Sequence, residues 1–324
     1  MRIRYAALVV GIFLVFPGIA RAAAQEAAAS ADQVPQLLDQ ARQRLSEGQY
    51  QQAINLANKA LALNPHSAQA LVVRGDAKDD LSDFQGALID YNAAIVIDPE
   101  YEYGYATRCG TENEISQYRK ALDDCNKAIS LDPKDDYAYR ERATSEYFLD
   151  RDAAGLEDAS RAIELDNTVA RSFAIRCNIE RDMGNYQDAL ADCNRGIQLD
   201  PKRHWSLFNR GRVYIGEQQW EAALADFQTY LAAVPDDSSA NYWLAVSQSH
   251  LKMWDDALKN VNIYLKENPF DADSYLVRAG IYAGMGKKTQ AIDDAKTSLR
   301  LYHIHNNDQG AVRAQDFLKS MNTQ

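Results

Sequence analysis

The sequence is poor in the residues and motifs from which catalytic and metal sites are built. It has 4 cysteines and 5 histidines in 324 residues, and no P-loop, G-x-G-x-x-G, H-E-x-x-H or G-x-S-x-G motif. His303 and His305 stand two residues apart, so on a helix they would face apart and end a solvated helix rather than bind a metal. The sequence therefore predicts no catalytic residue, no cofactor and no metal site, and a protein that is not an enzyme.

Long apolar runs are lacking except at the start of the chain. The apolar run 5–16 follows two arginines, is too short to span a bilayer and is followed by small residues. This pattern is typical of a cleaved signal peptide at 1–24, cut after Ala22 or Ala24, with an uncleaved anchor as the alternative. We therefore expect an exported protein, periplasmic in a bacterium or secreted, with no integral membrane span in the mature chain.

An excess of basic residues is also lacking. The chain has 35 Lys and Arg against 46 Asp and Glu, which gives a net charge of −11. Residues 1–24 hold three arginines and no acid, so their removal takes the charge from −11 to −14. Phosphate backbones and anionic lipid surfaces attract basic proteins, so we expect neither nucleic acid nor an anionic membrane as a partner.

Proline is scarce but regular. The chain has 8 prolines, and six of them are separated by 34 residues or by twice that number: Pro65, Pro99, Pro133, Pro201, Pro235 and Pro269. Asn167 stands at the skipped place, and the phrase before the break recurs as "ALALNP", "AIVIDP", "AISLDP", "AIELDN" and "GIQLDP". With the proline as position 32, eight repeats begin at Val34, Ala68, Glu102, Asp136, Ala170, His204, Ser238 and Ala272. Positions 8 and 20 are small in every repeat.

This pattern resembles the tetratricopeptide repeat family, over 34–303 without an insertion or deletion. The resemblance implies an all-α fold, a right-handed superhelical α-solenoid of stacked helix-turn-helix repeats, because one repeat cannot bury its apolar face alone. Residues 25–33 are expected to be a flexible lead. Residues 304–324 are expected to form a C-terminal capping helix.

The resemblance also implies a binding surface, because in family members the first helices of successive repeats line a concave groove. Positions 2, 5, 9 and 12 usually face it. In this chain the candidates are aromatic, arginine and asparagine residues: Tyr103, Tyr137, Arg140, Tyr147, Asn178, Arg181, Trp205, Phe208, Arg212 and Tyr242. The alternative is that the arginines pair with local acids such as Asp182 and that the aromatic rings pack between helices. The lysine–asparagine clamp by which some members hold an acidic chain terminus is absent.

The resemblance implies a function in binding rather than in chemistry. We expect a non-enzymatic scaffold of the periplasm or cell envelope that holds a peptide or protein segment in its groove. The alternative is a structural subunit of an envelope assembly, such as polysaccharide export or outer-membrane assembly machinery. Nothing in the sequence names the partner.

The four cysteines occupy positions 8 and 24 of repeats 3 and 5. In six repeats position 7 is arginine and position 23 is aspartate, and in repeats 1 and 7 both are absent. This joint appearance indicates that residues sixteen apart touch across the two helices of a repeat. Positions 8 and 24 follow the arginine and aspartate positions by one residue and are also sixteen apart. The same contact therefore predicts the disulfides Cys109–Cys125 and Cys177–Cys193, with reduced buried thiols as the alternative. The two pairs stand two repeats apart, too far to share a zinc ion.

Overall fold

The structure, a computed structural model, describes residues 33–202 and 204–323. The predicted signal peptide 1–24 and residues 25–32 of the predicted lead lie outside the described residues. The chain divides into two compact bodies, an N-terminal body that ends at Pro133 and a C-terminal body that begins at Lys134. None of the helices in the described part is long and apolar enough to cross a membrane.

The N-terminal body contains repeats 1 to 3. Its helices are α1 Gln33–Ser46, α2 Tyr50–Leu63, α3 Ala68–Asp79, α4 Phe84–Ile97, α5 Glu102–Glu114 and α6 Tyr118–Leu131. The two helices of each repeat pack against each other, and the first helices of successive repeats also touch, α1 with α3 and α3 with α5.

The C-terminal body contains repeats 4 to 8 and a terminal helix. Its helices are α7 Asp136–Phe148, α8 Asp152–Leu165, α9 Ala170–Asp182, α10 Tyr186–Leu199, α11 Trp205–Gly216, α12 Trp220–Ala233, α13 Ser238–His250, α14 Trp254–Glu267, α15 Ala272–Gly284, α16 Lys288–Ile304 and α17 Asp308–Thr323. The first helices α7, α9, α11, α13 and α15 pack side by side in a row. With only helices in the described residues, the predicted all-α solenoid of helix-turn-helix repeats is confirmed.

Small residues let the helices of each repeat approach closely. Position 20 is a fully buried alanine, 0% exposed, in seven repeats: Ala53, Ala87, Ala121, Ala189, Ala223, Ala257 and Ala291. Repeat 4 has the buried Gly155 instead. A larger side chain at this point would force the helices apart, because protein interiors leave no spare volume.

Positions 8 and 24 face each other and share one volume. Where position 8 is glycine, position 24 is a large ring, and an added Cβ on Gly75 would lie 2.5 Å from the ring of Tyr91. In repeat 4 the same two positions are Ala143 and Ala159, both 0% exposed. In repeats 3 and 5 the two positions hold the cysteine pairs. The size of the residue at position 8 is therefore matched by the size of the residue at position 24.

The turn inside each repeat uses a left-handed residue at position 15. All eight repeats have a positive φ there, on Gly48, Gly184 and Gly286 and on five residues with a Cβ: Ser82, Ser116, Asp150, Gln218 and Lys252. The next N–H then reaches back to the carbonyl of position 11, as Gln219 does to Tyr214 at 2.8 Å. This bond closes the first helix in the Schellman arrangement. The first helices often begin at an aspartate cap, such as Asp135 or Asp237.

The predicted contact between positions 7 and 23 is present in all six repeats that carry the pair. Each arginine donates two hydrogen bonds to its aspartate, with Nε and Nη2 to oxygen distances of 2.5 to 2.9 Å. The aspartates are nearly buried, between 1% and 8% exposed. These pairs clamp the two helices of a repeat together with charge-assisted bonds.

A third bond from the same arginines links neighbouring repeats. Nη1 donates to position 25 of the preceding repeat, as Arg74 does to Asn58 and Arg210 to Asn194, both at 2.7 Å. Arg278 does the same to Asn262 at 2.8 Å. Each such guanidinium therefore bonds sixteen residues forward and sixteen residues back, and fixes the register between two repeats as well as within one.

The terminal helix α17 covers the end of the C-terminal body. Its residues Ala311 and Ala314 pack on Leu301 and Tyr302 of α16. Tyr302 donates a hydrogen bond of 2.5 Å to Asp273 of α15, and Arg313 of α17 donates to the same carboxylate at 2.9 Å. The terminal helix begins at Asp308, four residues after the start of the predicted segment 304–324.

Candidate functional site

The row of first helices in repeats 4 to 7 brings five side chains together. Tyr147 comes from α7, Arg181 and Asp182 from α9, Arg212 from α11 and Trp243 from α13. Position 12 supplies Tyr147 and Arg181, position 9 supplies Arg212, and position 6 supplies Trp243. We call this cluster the arginine site.

Arg181 in the arginine site is fully engaged. It is 6% exposed, and its Nε and Nη2 both lie 2.9 Å from the Asp182 carboxylate. Nη2 also donates to the Tyr147 hydroxyl at 3.0 Å, and Nη1 donates to Asn178 at 2.8 Å. Its charge is therefore balanced inside the protein, as the alternative interpretation of the sequence expected.

Arg140 is also engaged rather than open to a ligand. It is 7% exposed, lies over the ring of Tyr137 at 4.8 Å and pairs with Asp136 at 3.3 Å. The buried Glu141 lies 3.6 Å from its Nε. Neighbouring acids and aromatic rings therefore engage both Arg140 and Arg181, and their place among the groove candidates stays a prediction.

Phe208 is a core residue. It is 7% exposed and packs on Phe227 and Tyr230 of α12 at ring-centre distances of 5.8 and 5.3 Å. The large rings of repeat 6 draw position 5 of α11 into the space between the helices. Phe208 is therefore not a groove residue. Its neighbour Trp205 stays 57% exposed while one edge of its ring contacts Phe208 at 5.6 Å.

Arg212 differs from the other arginines of the row. Within the described residues no carboxylate lies within 4.0 Å of it, and its buried Nε has no hydrogen-bond partner. The guanidinium lies over the Trp243 ring at 5.3 Å. Burial lowers its pKa, and the nearby charge of Arg181 lowers it further. The charge of Asp182 and a contact with Tyr147 raise the pKa in the opposite sense. Among the described residues Arg212 therefore has no ion-pair partner of its own.

Tyr242 lines a cavity beside the arginine site. The cavity has a volume of about 520 Å³ and is bordered by Ser239, Tyr242, Trp243, Tyr264, Asp271, Asp273 and Arg313. The Tyr242 ring lies 4.9 Å from that of Trp243 and 5.1 Å from that of Tyr264. Burial raises the pKa of Tyr242, and the carboxylates of Asp273 and Asp271 raise it further. We call this cavity the tyrosine pocket.

Tyr103 lies in a separate groove of the N-terminal body. This groove has a volume of about 510 Å³ and is bordered by residues of α1, α3 and α5, with Arg42 on one side. Tyr103 donates to Asp76 at 3.4 Å, and Tyr91 donates to the other oxygen at 2.9 Å. Burial raises the pKa of Asp76 to about 7, even though both tyrosine hydrogen bonds lower it. Asp76 stands at position 9, which usually faces the groove, but nothing else in the sequence placed it among the candidates.

The cysteines lie inside the repeats, away from these sites. The structure joins Cys109 to Cys125 and Cys177 to Cys193, with Cα–Cα distances of 5.6 Å in both pairs. All four are 0% exposed. Among the residues that the structure describes, no group of three or more His, Cys, Asp or Glu could hold a metal ion.

Comparison with known proteins supports the repeat assignment. Two models described as tetratricopeptide repeats match residues 38–102 and 181–242. No curated protein sequence matches the chain significantly.

Solved structures share the fold at low sequence identity. A chain of the APC/C hetero-tetramer Cut9–Hcn1 is 17% identical with a TM-score of 0.70, over 88% of this chain and 55% of that one. The PilF protein of Pseudomonas aeruginosa is 16% identical with a TM-score of 0.55, over 64% of this chain and 94% of that one. This chain thus spans little more than half of the Cut9–Hcn1 chain that it matches. Residues 38–102 and 181–242 are therefore tetratricopeptide repeats, and the period of 34 residues and the paired helices repeat the same pattern between and beyond them, in a fold that serves protein–protein interaction.

Proposed function

We propose that the chain is a non-enzymatic scaffold that binds a peptide or protein segment along the first helices of its C-terminal body, with a carboxylate of that segment bound by Arg212. The observation that carries this proposal is the guanidinium of Arg212, which has no carboxylate partner within the described residues. A partly buried charge without a partner is costly, and an incoming carboxylate would remove that cost.

The geometry around Arg212 suits a planar anion. One face of the guanidinium lies over the Trp243 ring, which fixes its orientation. Arg181 cannot take the place of Arg212, because Asp182 already occupies its fork. The Nε of Arg212 is buried, so a carboxylate would reach this guanidinium through its two Nη groups, which can form two parallel bonds with a planar acid.

Aromatic residues on the same row of first helices as Arg212 supply anchoring surface for a segment. Trp205 is 57% exposed, and Tyr242 and Trp243 border an open cavity. Tryptophan, tyrosine and arginine are the residues that contribute most to binding free energy at protein interfaces. The same stretch of first helices therefore offers both a charge and an apolar surface.

The periplasm or cell envelope is the proposed location. The signal-like residues 1–24 and the two disulfides support it, since disulfides persist in oxidising compartments. In this compartment the scaffold would bind a segment of another envelope protein.

A random peptide library displayed on phage and selected against the full mature chain tests the proposal. We expect enriched peptides to contain an aspartate or glutamate, and Arg212→Gln to abolish that preference. Arg161→Gln is the matched control, because Arg161 is an exposed residue of α8 that pairs with Glu164. Selection without acidic preference, or a preference that survives Arg212→Gln, would overturn the proposal. A stable stoichiometric complex purified from envelope extract would favour the assembly subunit instead.

A further inference from the structure

The tyrosine pocket has the chemistry of a cation site. Its border contains three aromatic rings, Tyr242, Trp243 and Tyr264, and two acids, Asp271 and Asp273. Among the described residues on its border the basic one is Arg313, which is 55% exposed and pairs with Asp273. Two carboxylates and one guanidinium leave the pocket with an excess of one negative charge.

The aspartates of the pocket keep oxygen atoms that a ligand can reach. Both hydrogen bonds to Asp273, from Tyr302 and Arg313, end on its Oδ1 atom. Asp271 caps α15 through its Oδ2 atom alone, which accepts from Ser274. Within the described residues one oxygen of each carboxylate is therefore left for an incoming donor.

The negative field of these carboxylates extends to the tyrosine rings. Burial raises the pKa of Tyr264, and Asp271 and Asp273 raise it further, as they do for Tyr242. The rings of Tyr242 and Tyr264 lie 5.1 Å apart on the border of the pocket. Aromatic faces attract cations, and a nearby carboxylate strengthens that attraction.

We infer that the tyrosine pocket binds a lysine or arginine side chain of the same segment whose carboxylate lies at Arg212. This inference rests on the proposed function and adds the second recognition element of the partner. The two sites share Trp243, which contacts the Arg212 guanidinium at 5.3 Å and Tyr242 at 4.9 Å.

The shared tryptophan sets the spacing between the two charges of the ligand. The path from Arg212 through Trp243 and Tyr242 to Tyr264 consists of three contacts of 5.3, 4.9 and 5.1 Å. An extended chain advances about 3.3 Å per residue and places alternate side chains on one face. The acidic and basic residues of the ligand are therefore expected about two or four positions apart in its sequence.

Substitution of Arg313 distinguishes a repulsive effect on the bound cation from a purely structural role of this residue. It is a resident cation on the border of the pocket, so it repels an incoming one. Arg313→Gln should strengthen binding of a peptide that carries the basic residue. If Arg313 served only to attach α17, its removal would weaken binding or leave it unchanged.

The phage-displayed peptide library, selected on the intact mature chain and on three variants, tests the inference. With the wild type we expect an acidic and a basic residue two or four positions apart. Asp273→Asn, which keeps the shape of the side chain, should remove the basic preference and retain the acidic one. Arg212→Gln should remove the acidic preference. For one enriched peptide made synthetically, fluorescence titration should show binding several-fold tighter to Arg313→Gln than to the wild type.

The outcomes separate this inference from the proposed function. An acidic preference without a basic one, or a basic preference that survives Asp273→Asn, overturns the inference and leaves the function intact. Weaker binding to Arg313→Gln, with thermal unfolding unchanged, also overturns it. Selection without any acidic preference overturns the proposed function itself.

Discussion

Arg210 and Asp226 join the two helices of repeat 6 by two hydrogen bonds of 2.8 and 2.7 Å. The same guanidinium donates a third bond to Asn194 of repeat 5 at 2.7 Å. One side chain therefore stabilises the fold of its own repeat and the stacking of that repeat on its neighbour. In a solenoid, where stability comes from single repeats and from their interfaces, this residue contributes to both.

Removing either partner of this pair should destabilise the protein strongly. Arg210→Leu leaves the nearly buried Asp226 without a partner, and Asp226→Asn leaves the arginine without a carboxylate. Each change should cost about 3 kcal/mol of unfolding free energy, the typical cost of breaking a buried ion pair. The double variant reproduces Leu244 and Asn260 of repeat 7, so it should cost less than the sum of the single variants. Urea unfolding followed by circular dichroism measures all three.

The exposed pair Arg161–Glu164 on α8 supplies the control. Arg161→Leu should change the unfolding free energy by less than about 1 kcal/mol, since solvent already screens such pairs. Strict additivity of Arg210→Leu and Asp226→Asn would contradict the proposed coupling between them.

The period of the sequence was enough to predict this clamp but not its third bond. Arginine at position 7 and aspartate at position 23 appear and vanish together, so their contact within a repeat leaves a pattern in one sequence. Position 25 belongs to the preceding repeat and tolerates exchange, since Ser160 accepts from Arg176 where Asn194 accepts from Arg210. A contact between repeats with interchangeable acceptors leaves a much weaker pattern.

The candidate binding site could be predicted only in part for a related reason. Position rules place Arg140, Arg181 and Arg212 on the first helices alike, but side chains from adjacent helices decide which charge is balanced. Asp182 happens to lie within reach of Arg181, whereas Arg212 meets Trp243 instead. Phe208 packs in the core because it contacts the large rings of Phe227 and Tyr230. These effects depend on distances that the spacing of residues does not contain.

The turn at position 15 predicts a stabilising substitution. Gln218 has a φ of 59°, a conformation that costs a residue with a Cβ roughly 1 kcal/mol relative to glycine. Gln218→Gly should therefore raise the thermal midpoint. Conversely, Gly184→Ala should lower it, because Gly184 has a φ of 82° and an alanine there would be strained. Differential scanning calorimetry measures both shifts.

Gly280 is the matched control for these turn substitutions. It lies inside α15, and an added Cβ would meet nothing within 4 Å. Gly280→Ala should stabilise the protein by about 0.5–1 kcal/mol, since alanine favours the helix interior. Equal signs for Gly184→Ala and Gly280→Ala would contradict the proposed role of the turn.

The shared volume of positions 8 and 24 predicts how the cysteine pairs respond to substitution. The double variant Cys109→Ala with Cys125→Ala reproduces Ala143 and Ala159 of repeat 4, so the helices should keep their packing. Loss of the crosslink should lower the unfolding free energy by about 3 kcal/mol in the chain-entropy account. Peptide mapping under non-reducing conditions establishes the pairing first, and four free thiols or a different pairing would contradict it.

Gly75 provides the opposite case at the same position. An alanine there would place its Cβ 2.5 Å from the Tyr91 ring, so Gly75→Ala should cost about 1–3 kcal/mol through overpacking. Gly75→Ala should cost less when it is added to Tyr91→Ala than when it is made in the wild type, because the ring that its Cβ would meet is then absent. An equal cost in both backgrounds would show that the two positions do not share their volume.

Asp76 makes the stability of the N-terminal body depend on pH. Its folded pKa of about 7 lies above the ordinary value of 3.8, because burial disfavours the carboxylate. Between these values the folded state holds a proton that the unfolded state has lost. The stabilisation from this group is therefore fully present below pH 4 and is lost as the pH rises through about 7.

Asp76→Asn should remove this dependence, since an amide does not titrate. Relative to the wild type, the variant should gain about 2 kcal/mol of unfolding free energy between pH 5 and pH 8. Glu112, whose pKa burial also raises to about 7, stays in both proteins and cancels in the difference. Chemical unfolding at the two pH values measures this gain. If the difference in unfolding free energy between variant and wild type is independent of pH, Asp76 titrates at its ordinary value. If the variant becomes less stable relative to the wild type toward pH 8, the sign is opposite to that expected of a buried carboxyl.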